Sequence, residues 1–403
     1  MPLTEIPAPE SAVDHILRAR LEAPGLMDLL GQIEASLNPA ASHPPLPGIS
    51  EHLGADRHIV LWLIDGFATR YRRHTPLLGA DYVTDLETVF PSTTATAISS
   101  ILTGRAPAQH GLLGWHTRLS AAERTLTVLM GQERDREDRI NTLGYRELTG
   151  RVQPDRLSDR IDCGMTCIGP EWIGGTPYNR MMNGAADFIG FEDLSELPAR
   201  VAAHVNATPG PHFTYVYWPE LDHLGHEYGP ESPEVERDLK QLDLAYTATC
   251  AQIQRPESVF LTTADHGMRT MERRLDLREH PAVQACLRHR LTGEPRAALA
   301  HVREGHNADF LVALHTAFGD DIVVVPAADW LEPGGQGRTL GHGPEHPELR
   351  ARAGDYLLLP AEDAYLVDPP ADDEGPFFRG AHGGLSPEER HIPLFLRNIG
   401  QTR

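Results

Sequence analysis

Four hydroxyl residues follow a proline in the segment FPSTTATAISSILTGRAPAQHG, residues 90–111. They are Ser92, Thr93, Thr94 and Thr96. The apolar spacing from Ala95 to Leu102 predicts a helix that stops at Gly104, so the hydroxyls lie where a helix begins. A helix N-terminus gathers unpaired N–H groups and the positive end of the macrodipole, and therefore favours an anion such as phosphate. One hydroxyl is enough to cap the helix. A threonine here can therefore cap, bind an anion or act as a nucleophile.

Three apolar runs of the chain lead into aspartate. HIVLWLI precedes Asp65, HFTYVYW comes shortly before Asp222, and SVFLTTA precedes Asp265. In an open parallel sheet, ligands gather at the carboxyl ends of the strands, so we expect the three carboxylates to converge there. Each one taken singly also has a structural explanation, such as the DG turn at Asp65.

Histidines accompany these aspartates. The second aspartate begins DHLGH, which places His226 four residues on; His266 directly follows the third; and AHGG places His382 just before the last strand-like run. Three carboxylates and three imidazoles form a mixed N/O ligand set that suits two zinc ions, and manganese less well. Two metals about 3.5–4 Å apart, with a hydroxyl nucleophile between them, form a clamp for in-line phosphoryl displacement. Thr94 would supply that hydroxyl.

The elements that must position these residues are predicted to form an α/β fold. Near-continuous hydrophobicity is typical of strands buried on both faces, as in a parallel sheet covered by helices. Helix-like segments such as SPEVERDLKQLDLAYTATCAQIQ lie between the strand-like runs. We therefore expect a mostly parallel central sheet flanked by helices.

The chain is expected to divide into three parts. Residues 1–50 form an N-terminal helical extension, interrupted near Pro24 and followed by a Pro-rich connector. Residues 51–268 and 376–403 form the core, and residues 269–375 form an inserted cap region with strand signals of its own, such as DIVVVPA and GDYLLLPA. The stretch GPEWIGGTPYNR reads as a Gly-rich surface loop, either an ordinary one or one that contacts substrate.

Composition excludes several partners. The formal charge of −21 argues against a nucleic-acid polymer, whose binding depends on Lys and Arg, but a small phosphorylated ligand is compatible with it if metal ions supply positive charge. No run approaches the ~18 apolar residues that a membrane span needs. The N-terminal sequence has neither a basic region nor an apolar stretch, so we expect a cytoplasmic protein with no secretory signal and no membrane partner. The oligomeric state is left open.

The order of these motifs resembles the order found in the alkaline phosphatase superfamily, and within it in the nucleotide pyrophosphatase/phosphodiesterase branch. In that branch an Asp after the first strand, an FPS-x-T turn, a D-x-x-x-H-x-x-G-P element, a DHG and a late HG follow one another. Here the counterparts are Asp65, FPSTT, DHLGHEYGP, ADHG and AHGG. The resemblance spans nearly the whole chain and implies an alkaline phosphatase-like core.

The resemblance also implies roles for individual residues. Thr94, fifth in FPSTT, matches the nucleophile, and Tyr217 matches the position of an aromatic residue that stacks a nucleobase; a buried strand tyrosine is the alternative. One metal would take Asp222, His226 and His382. The second metal, beside Thr94, would take Asp65, Asp265 and His266.

Two positions depart from the family pattern. An aromatic residue often follows the nucleophile directly and an asparagine follows it at the third position, whereas this chain has Ala95 and Ala97. Backbone N–H groups, the metals or Thr96 would then have to stabilise the oxyanion. We therefore expect Thr96 to contact substrate.

The leading hypothesis is a two-metal hydrolase of small phosphodiester or pyrophosphate substrates that acts through a phospho-threonine intermediate.

 The substrate is a small phosphorylated molecule, with nucleotides as one class. The alternatives within the same fold are a phosphomonoesterase, a phosphonate hydrolase or a phosphomutase. A non-catalytic, metal-bound binding protein is the alternative from a different class.

Overall fold

The computed structural model describes residues 24–119, 122–134, 144–331 and 340–400. None of the helices in these ranges combines the length and the apolar character needed to cross a membrane. The strands in these ranges are β1 (His58–Ile64), β2 (Tyr82–Glu87), β3 (His116–Leu119), β4 (Arg124–Thr127), β5 (Gln132–Glu133), β6 (Gly164–Pro170), β7 (Asp187–Phe191), β8 (His212–Trp218), β9 (Ser258–Thr263), β10 (Arg269–Thr270), β11 (Arg273–Asp276), β12 (Thr292–Glu294), β13 (Ala297–Ala300), β14 (Ile322–Pro326), β15 (Tyr356–Pro360), β16 (Ala364–Val367), β17 (Gly380–Ala381) and β18 (His391–Asn398).

Helices connect and cover these strands. The α-helices in the described ranges are α1 (Leu26–Leu37), α2 (Pro76–Gly79), α3 (Thr94–Thr103), α4 (Pro107–His110), α5 (Tyr145–Val152), α6 (Glu171–Gly174), α7 (Pro177–Asn183), α8 (Leu197–Ala207), α9 (Glu220–Tyr228), α10 (Pro233–Gln252), α11 (Pro281–Cys286), α12 (Asn307–Phe318), α13 (Ala327–Leu331), α14 (Leu349–Ala353) and α15 (Pro387–Arg390). The predicted helix after the hydroxyl cluster is α3, and Gly104 ends it with a φ of 61°.

A seven-stranded sheet forms the centre of the fold, in the order β2-β18-β9-β1-β8-β6-β7. Strand β1 pairs in parallel with β8 and β9, and β6 pairs in parallel with β8 and β7. Strand β18 runs antiparallel to both of its neighbours, β2 and β9. Every residue of β1 and β9 is buried, which fits strands covered by helices on both faces. The predicted α/β fold with a mostly parallel sheet is therefore confirmed. The strand predicted from HIPLFLRN is β18.

A second, antiparallel sheet lies beside the first, in the order β14-β15-β13-β12-β3-β4-β5. Its first four strands come from the expected cap region, residues 269–375, but β3, β4 and β5 come from residues 116–133. The expected cap boundaries therefore do not coincide with this sheet. The reason is that β12 pairs with β3, so two distant segments complete one sheet.

The N-terminal helix does not stand apart from the core as the expected extension would. In α1, Leu26, Leu29, Leu30 and Ile33 are fully buried in the same apolar cluster as the strands of the main sheet. Their spacing of three and four residues puts them on one face of the helix, which explains why that face packs inward. The first part of the predicted extension, residues 1–23, lies outside the described residues.

The stretch GPEWIGGTPYNR was expected to be a loop, and the structure differs. It forms the end of β6 and the short helices α6 and α7. The Thr176 side chain caps α7 by accepting a hydrogen bond from the Asn179 amide, and Pro177 occupies the first turn. A Ser or Thr cap followed by proline is a signal for the start of a helix. Here this signal determined the local structure, although the glycines indicated a loop.

Candidate active site

The four hydroxyls at the start of α3 have four different environments. The Ser92 hydroxyl donates to the Gly384 carbonyl at 2.7 Å, and the Thr93 hydroxyl donates to Glu294 Oε1 at 2.5 Å. Thr94 Oγ1 lies 3.0 Å from Nε2 of His266. Although Thr93 is the N-cap residue, its side chain makes no capping bond. The hydroxyls therefore do not serve as helix caps.

Thr96 was expected to contact substrate, and the structure does not bring it to the site. Its side chain is fully buried, and its hydroxyl has no hydrogen-bond partner within the described part of the chain. It lines neither of the two cavities that meet at Thr94.

Three neighbouring strands of the main sheet deliver the aspartates. Asp65 directly follows β1, Asp265 comes two residues after β9, and Asp222 lies in the first turn of α9, which follows β8. Strands β8 and β9 both pair with β1 in parallel, so their carboxyl ends lie side by side. Gly66 allows the close approach, because its φ is 72° and a Cβ there would lie 3.1 Å from the Asp222 Cα.

The first predicted ligand triad is assembled around His266. Its Nε2 lies 3.3 Å from Asp65 Oδ1 and 3.5 Å from Asp265 Oδ2. The other oxygen of Asp265 accepts hydrogen bonds from the amides of Gly66 and His266, at 3.1 and 2.9 Å. These amides fix the carboxylate in place. All three side chains are buried.

The second predicted triad is also assembled. Asp222 and His226 are one turn apart on α9, with Nε2 3.3 Å from Asp222 Oδ2. His382 follows β17, and its Nε2 lies 3.6 Å from Asp222 Oδ1 and 3.1 Å from Nε2 of His226. The rings of His266 and His382 stack with centroids 3.6 Å apart, so the two triads adjoin.

All three imidazoles are oriented in the same manner. Nδ1 lies next to a backbone carbonyl in each: Gly380 for His226 at 2.8 Å, Gly267 for His266 at 2.8 Å and Ser92 for His382 at 3.1 Å. A ring whose Nδ1–H donates to a carbonyl presents the Nε2 lone pair to a metal. The Nε2 atoms are the ones that face the carboxylates.

The three carboxylates present buried oxygen atoms to the centre of the site. One oxygen from each of Asp65, Asp222 and Asp265 is buried without a hydrogen-bond partner among the described residues. Burial and the neighbouring carboxylates raise the pKa of Asp65 well above its ordinary value. For Asp222, burial opposes ionisation, but His226 and His382 outweigh it and lower the pKa. Buried charges of this kind require a partner, and mixed O/N donors in two groups of three fit two zinc ions.

Tyr217 lies at the site, in a role that the sequence did not predict. Its hydroxyl donates to Asp65 Oδ2 at 2.5 Å, which orients the carboxylate toward His266. Its ring lies almost parallel to that of Tyr215, with centroids 6.5 Å apart, and it lines a cavity next to Thr94. The nucleobase contact implied by the resemblance stays a prediction.

Glu294 is a site residue that sequence reasoning missed. It is buried at the end of β12, and its Oε1 accepts hydrogen bonds from the Thr93 hydroxyl and, at 2.6 Å, from the Trp115 amide. Burial raises the pKa of the Glu294 carboxyl to about 7, against these hydrogen bonds. The residue connects the second sheet to the turn that carries Thr94. No motif surrounds it in the sequence.

A buried ion pair holds the second sheet against the ligand loops. Arg296, in the turn between β12 and β13, binds both oxygens of Glu389 at 3.0 and 2.9 Å. The same carboxylate accepts a hydrogen bond from the Gly384 amide at 2.9 Å, and the Glu389 carbonyl accepts one from the Gly267 amide. Both glycines lie next to ligand segments, so this pair fixes the loops that carry His266 and His382.

Two cavities meet at Thr94. The aromatic cavity, of about 440 Å³, is lined in part by Trp115, Trp172, Tyr178, Tyr215 and Tyr217. The apolar cavity, of about 470 Å³, is lined in part by Leu291, Pro295, Leu366, Val367 and Phe378. Four residues line both cavities: Thr94, Trp115, Asp222 and His226. Both volumes are typical of sites for small molecules.

Solved structures share this fold. Murine ectonucleotide pyrophosphatase/phosphodiesterase 5 matches with a TM-score of 0.62 and 18% identity, over 84% of this chain and 87% of that chain. Its inactive variant in complex with AMP matches with a TM-score of 0.63 and 17% identity, over the same shares of the two chains. The human protein of the same name matches with a TM-score of 0.62 and 17% identity, over 85% of this chain and 88% of that one.

Curated protein sequences provide no match to this chain. A family profile does match it, that of type I phosphodiesterase/nucleotide pyrophosphatase, over residues 59–385. This range takes in all but the first residue of β1, the hydroxyl turn, both ligand triads and the whole of the second sheet. The chain belongs to the type I phosphodiesterase/nucleotide pyrophosphatase family, in the alkaline phosphatase superfamily.

Proposed function

We propose that this protein is a two-metal phosphodiesterase or nucleotide pyrophosphatase that acts through a phospho-threonine intermediate. The observation that carries the proposal is the position of Thr94 Oγ1, 3.0 Å from Nε2 of His266, where the two ligand triads adjoin. The family assignment supports the same chemistry. So does the murine relative, whose inactive variant replaces one threonine by alanine and was solved in complex with AMP.

Each triad would hold one divalent metal ion, and the mixed N/O donor set favours zinc. Bound there, the two ions would supply positive charge to the phosphoryl group and lower the pKa of the attacking alcohol. Asp65, Asp265 and His266 would hold the ion beside Thr94. Asp222, His226 and His382 would hold the other.

The chain's own residues then account for the reaction. The Thr94 hydroxyl gives up its proton to solvent and its Oγ attacks phosphorus; a threonine O–P bond forms, the bond from phosphorus to the leaving oxygen breaks, and the leaving group departs with its electron pair. Because Thr94 begins α3, backbone N–H groups of the first helical turn face the developing charge on the phosphoryl oxygens. Water then attacks phosphorus, and the O–P bond to Thr94 breaks.

The aromatic cavity supports a nucleoside as one arm of the substrate. Aromatic side chains stack planar rings favourably, and Trp115, Trp172 and Tyr217 all line this cavity. Asn179 lies in the same wall and offers amide donors and acceptors to a base edge.

Charge around Thr94 supports diesters over monoesters. A monoester dianion brings one more negative charge than a diester, and enzymes that prefer it usually place an additional cation beside the nucleophile. Among the described residues that line the two cavities, Arg134 is the one lysine or arginine side chain, and it donates to the backbone carbonyls of Leu291 and Asp368. Two zinc ions balanced by three carboxylates leave about one positive charge, which suits a monoanionic diester.

The test is to trap the covalent intermediate. Zinc-loaded protein would be mixed with bis-p-nitrophenyl phosphate, quenched in acid and digested, and the peptides analysed by mass spectrometry. We expect steady release of p-nitrophenol and a p-nitrophenyl phosphoryl group on the peptide that contains Thr94. Hydrolysis without an adduct on any peptide would contradict the threonine intermediate. Faster hydrolysis of p-nitrophenyl phosphate under the same conditions would favour the phosphomonoesterase alternative.

A further inference from the structure

The apolar cavity has no role in the reaction as described so far. It opens at the same point as the aromatic cavity, because Thr94, Asp222 and His226 line both. A phosphodiester carries two ester arms on one phosphorus atom. With phosphorus at Thr94 and one arm in the aromatic cavity, the apolar cavity is the enclosed space that the other arm can enter.

We propose that the apolar cavity binds the second ester arm of the substrate and is selective for a neutral, largely hydrocarbon arm over a polyphosphate arm. This inference rests on the proposed phosphodiesterase function and deepens it, since it names the chemical class of the substrate.

The walls of the cavity provide the first argument. Two elements provide the apolar wall. Leu291 and Pro295 flank β12 of the second sheet, and Leu366 and Val367 lie in β16. All four side chains present hydrocarbon to the interior. Phe378 closes the cavity beside the metal ligands, with its ring centroid 4.6 Å from that of His226. A hydrocarbon arm that fills this space removes apolar surface from water, which stabilises the complex by about 0.8 kcal/mol for each buried methylene.

Charge provides the second argument. The permanent positive charge of Arg134 lies in the same wall as the carboxyl groups of Glu294 and Asp368. His116 adds no charge, because burial lowers the pKa of its imidazole well below the ordinary value. The described lining residues hold no second lysine or arginine, and the Arg134 guanidinium already donates to the backbone carbonyls of Leu291 and Asp368. A pyrophosphate arm, with two or more additional negative charges, would enter a space lined by hydrocarbon and by two acidic side chains.

The experiment measures binding rather than turnover. Zinc-loaded Thr94→Ala protein would be titrated by calorimetry with phenyl alkyl phosphates whose alkyl arm is methyl, ethyl, propyl or butyl, and with phenyl diphosphate. We expect Kd to fall about threefold to fourfold for each added methylene. Phenyl diphosphate should bind no more tightly than phenyl methyl phosphate. A Kd that is independent of chain length, or tighter binding of phenyl diphosphate than of the butyl ester, would overturn the proposal.

Two variants in the same background locate the alkyl arm. Val367→Thr keeps the shape of the apolar wall but adds a hydroxyl, and it should reduce the gain per methylene to less than twofold. Trp172→Ala removes an exposed side chain from the aromatic cavity, and it should weaken all the esters by a similar factor and leave the gain per methylene unchanged. If Trp172→Ala alone abolishes the chain-length dependence, the alkyl arm lies in the aromatic cavity and the proposal is wrong.

These measurements distinguish a failure of the proposed subsite from a failure of the proposed function. Wild-type protein that hydrolyses diesters while Kd shows no chain-length dependence would retain the function and overturn the subsite. Protein with the expected chain-length dependence but no hydrolysis of any diester would retain the subsite as a binding site and overturn the function.

Discussion

The two sides of the active-site cleft are built in different ways. On the side of the main sheet, every residue of the two ligand triads except His382 follows the end of one of three adjacent parallel strands, and backbone amides and carbonyls fix the orientation of these side chains. On the side of the second sheet, separate segments contribute single side chains such as Glu294 and Val367. The comparison suggests that the main sheet determines the reaction, whereas the second sheet determines which substrate arm is admitted. Substitutions on the two sides of the cleft test this division.

Thr94→Ala should lower kcat by at least about 10³-fold, because it removes the attacking oxygen from the main-sheet side. Zinc content, measured by elemental analysis, should stay near two ions per chain, since the six other ligands are intact. Ser92→Ala is the matched control: its hydroxyl donates to Gly384, away from phosphorus, and we expect less than about a tenfold loss. Near wild-type activity of Thr94→Ala would end the assignment of the nucleophile.

His226→Ala should remove one zinc ion per chain and lower kcat by about 10²-fold or more. The matched control is His223→Ala on the same helix, because that side chain is exposed and its Nε2 lies 3.5 Å from Glu227 rather than from a ligand. We expect the control to keep both ions. Chelation should inactivate the wild-type protein and added zinc should restore it. Full activity in protein shown to contain no metal would contradict the two-metal mechanism.

Glu294→Ala should lower kcat by about 10–100-fold with little change in zinc content, because the turn that carries Thr94 loses its connection to the second sheet. Glu294→Gln keeps a carbonyl oxygen that can accept from Thr93 and from the Trp115 amide, so it should retain most of the activity. Equal losses in the two variants would show that the charge of the carboxylate matters rather than its hydrogen bonds.

Asp238→Asn should change stability and leave activity unchanged. Asp238 is a buried carboxyl on α10 that lines neither of the two cavities at Thr94, and burial raises its pKa to about 7 despite a hydrogen bond from Trp218. The folded state therefore holds a proton up to about pH 7 that the unfolded state releases near pH 4, so the wild-type protein loses stability as pH rises through this window.

The Asn variant lacks this penalty. Its free energy of unfolding, measured with urea, should equal that of the wild type near pH 4 and exceed it by about 1–2 kcal/mol at pH 8. An advantage that is the same at pH 5 and pH 8 would show that Asp238 does not titrate in this window.

The sequence predicted the main-sheet side well because its signals are local. The apolar runs before Asp65 and Asp265 became β1 and β9, and the helix predicted after the hydroxyls became α3. All six predicted ligand side chains lie together. Strand ends of a parallel sheet converge by geometry, so a pattern in the sequence translates directly into a place in the fold.

The second-sheet side could not be predicted, because its contacts join distant segments. β3 pairs with β12 although about 175 residues separate them, and nothing in either short strand indicates the partner. Glu294 acquires its role only through that pairing. Thr96 lines neither cavity, because the helix period turns its side chain into the interior, and its contact with substrate stays a prediction.

The position of β18 has a consequence for the synthesis of the protein. This strand is the last of the chain in the described residues, yet it lies inside the main sheet, between β2 and β9. His382 also comes late, only nine residues before β18 begins. While the ribosome is still translating the preceding segments, the nascent chain has a gap in its sheet and lacks a metal ligand. Hydrolytic competence should therefore appear only once His382 and β18 have emerged, and fragments that stop before His382 should be inert.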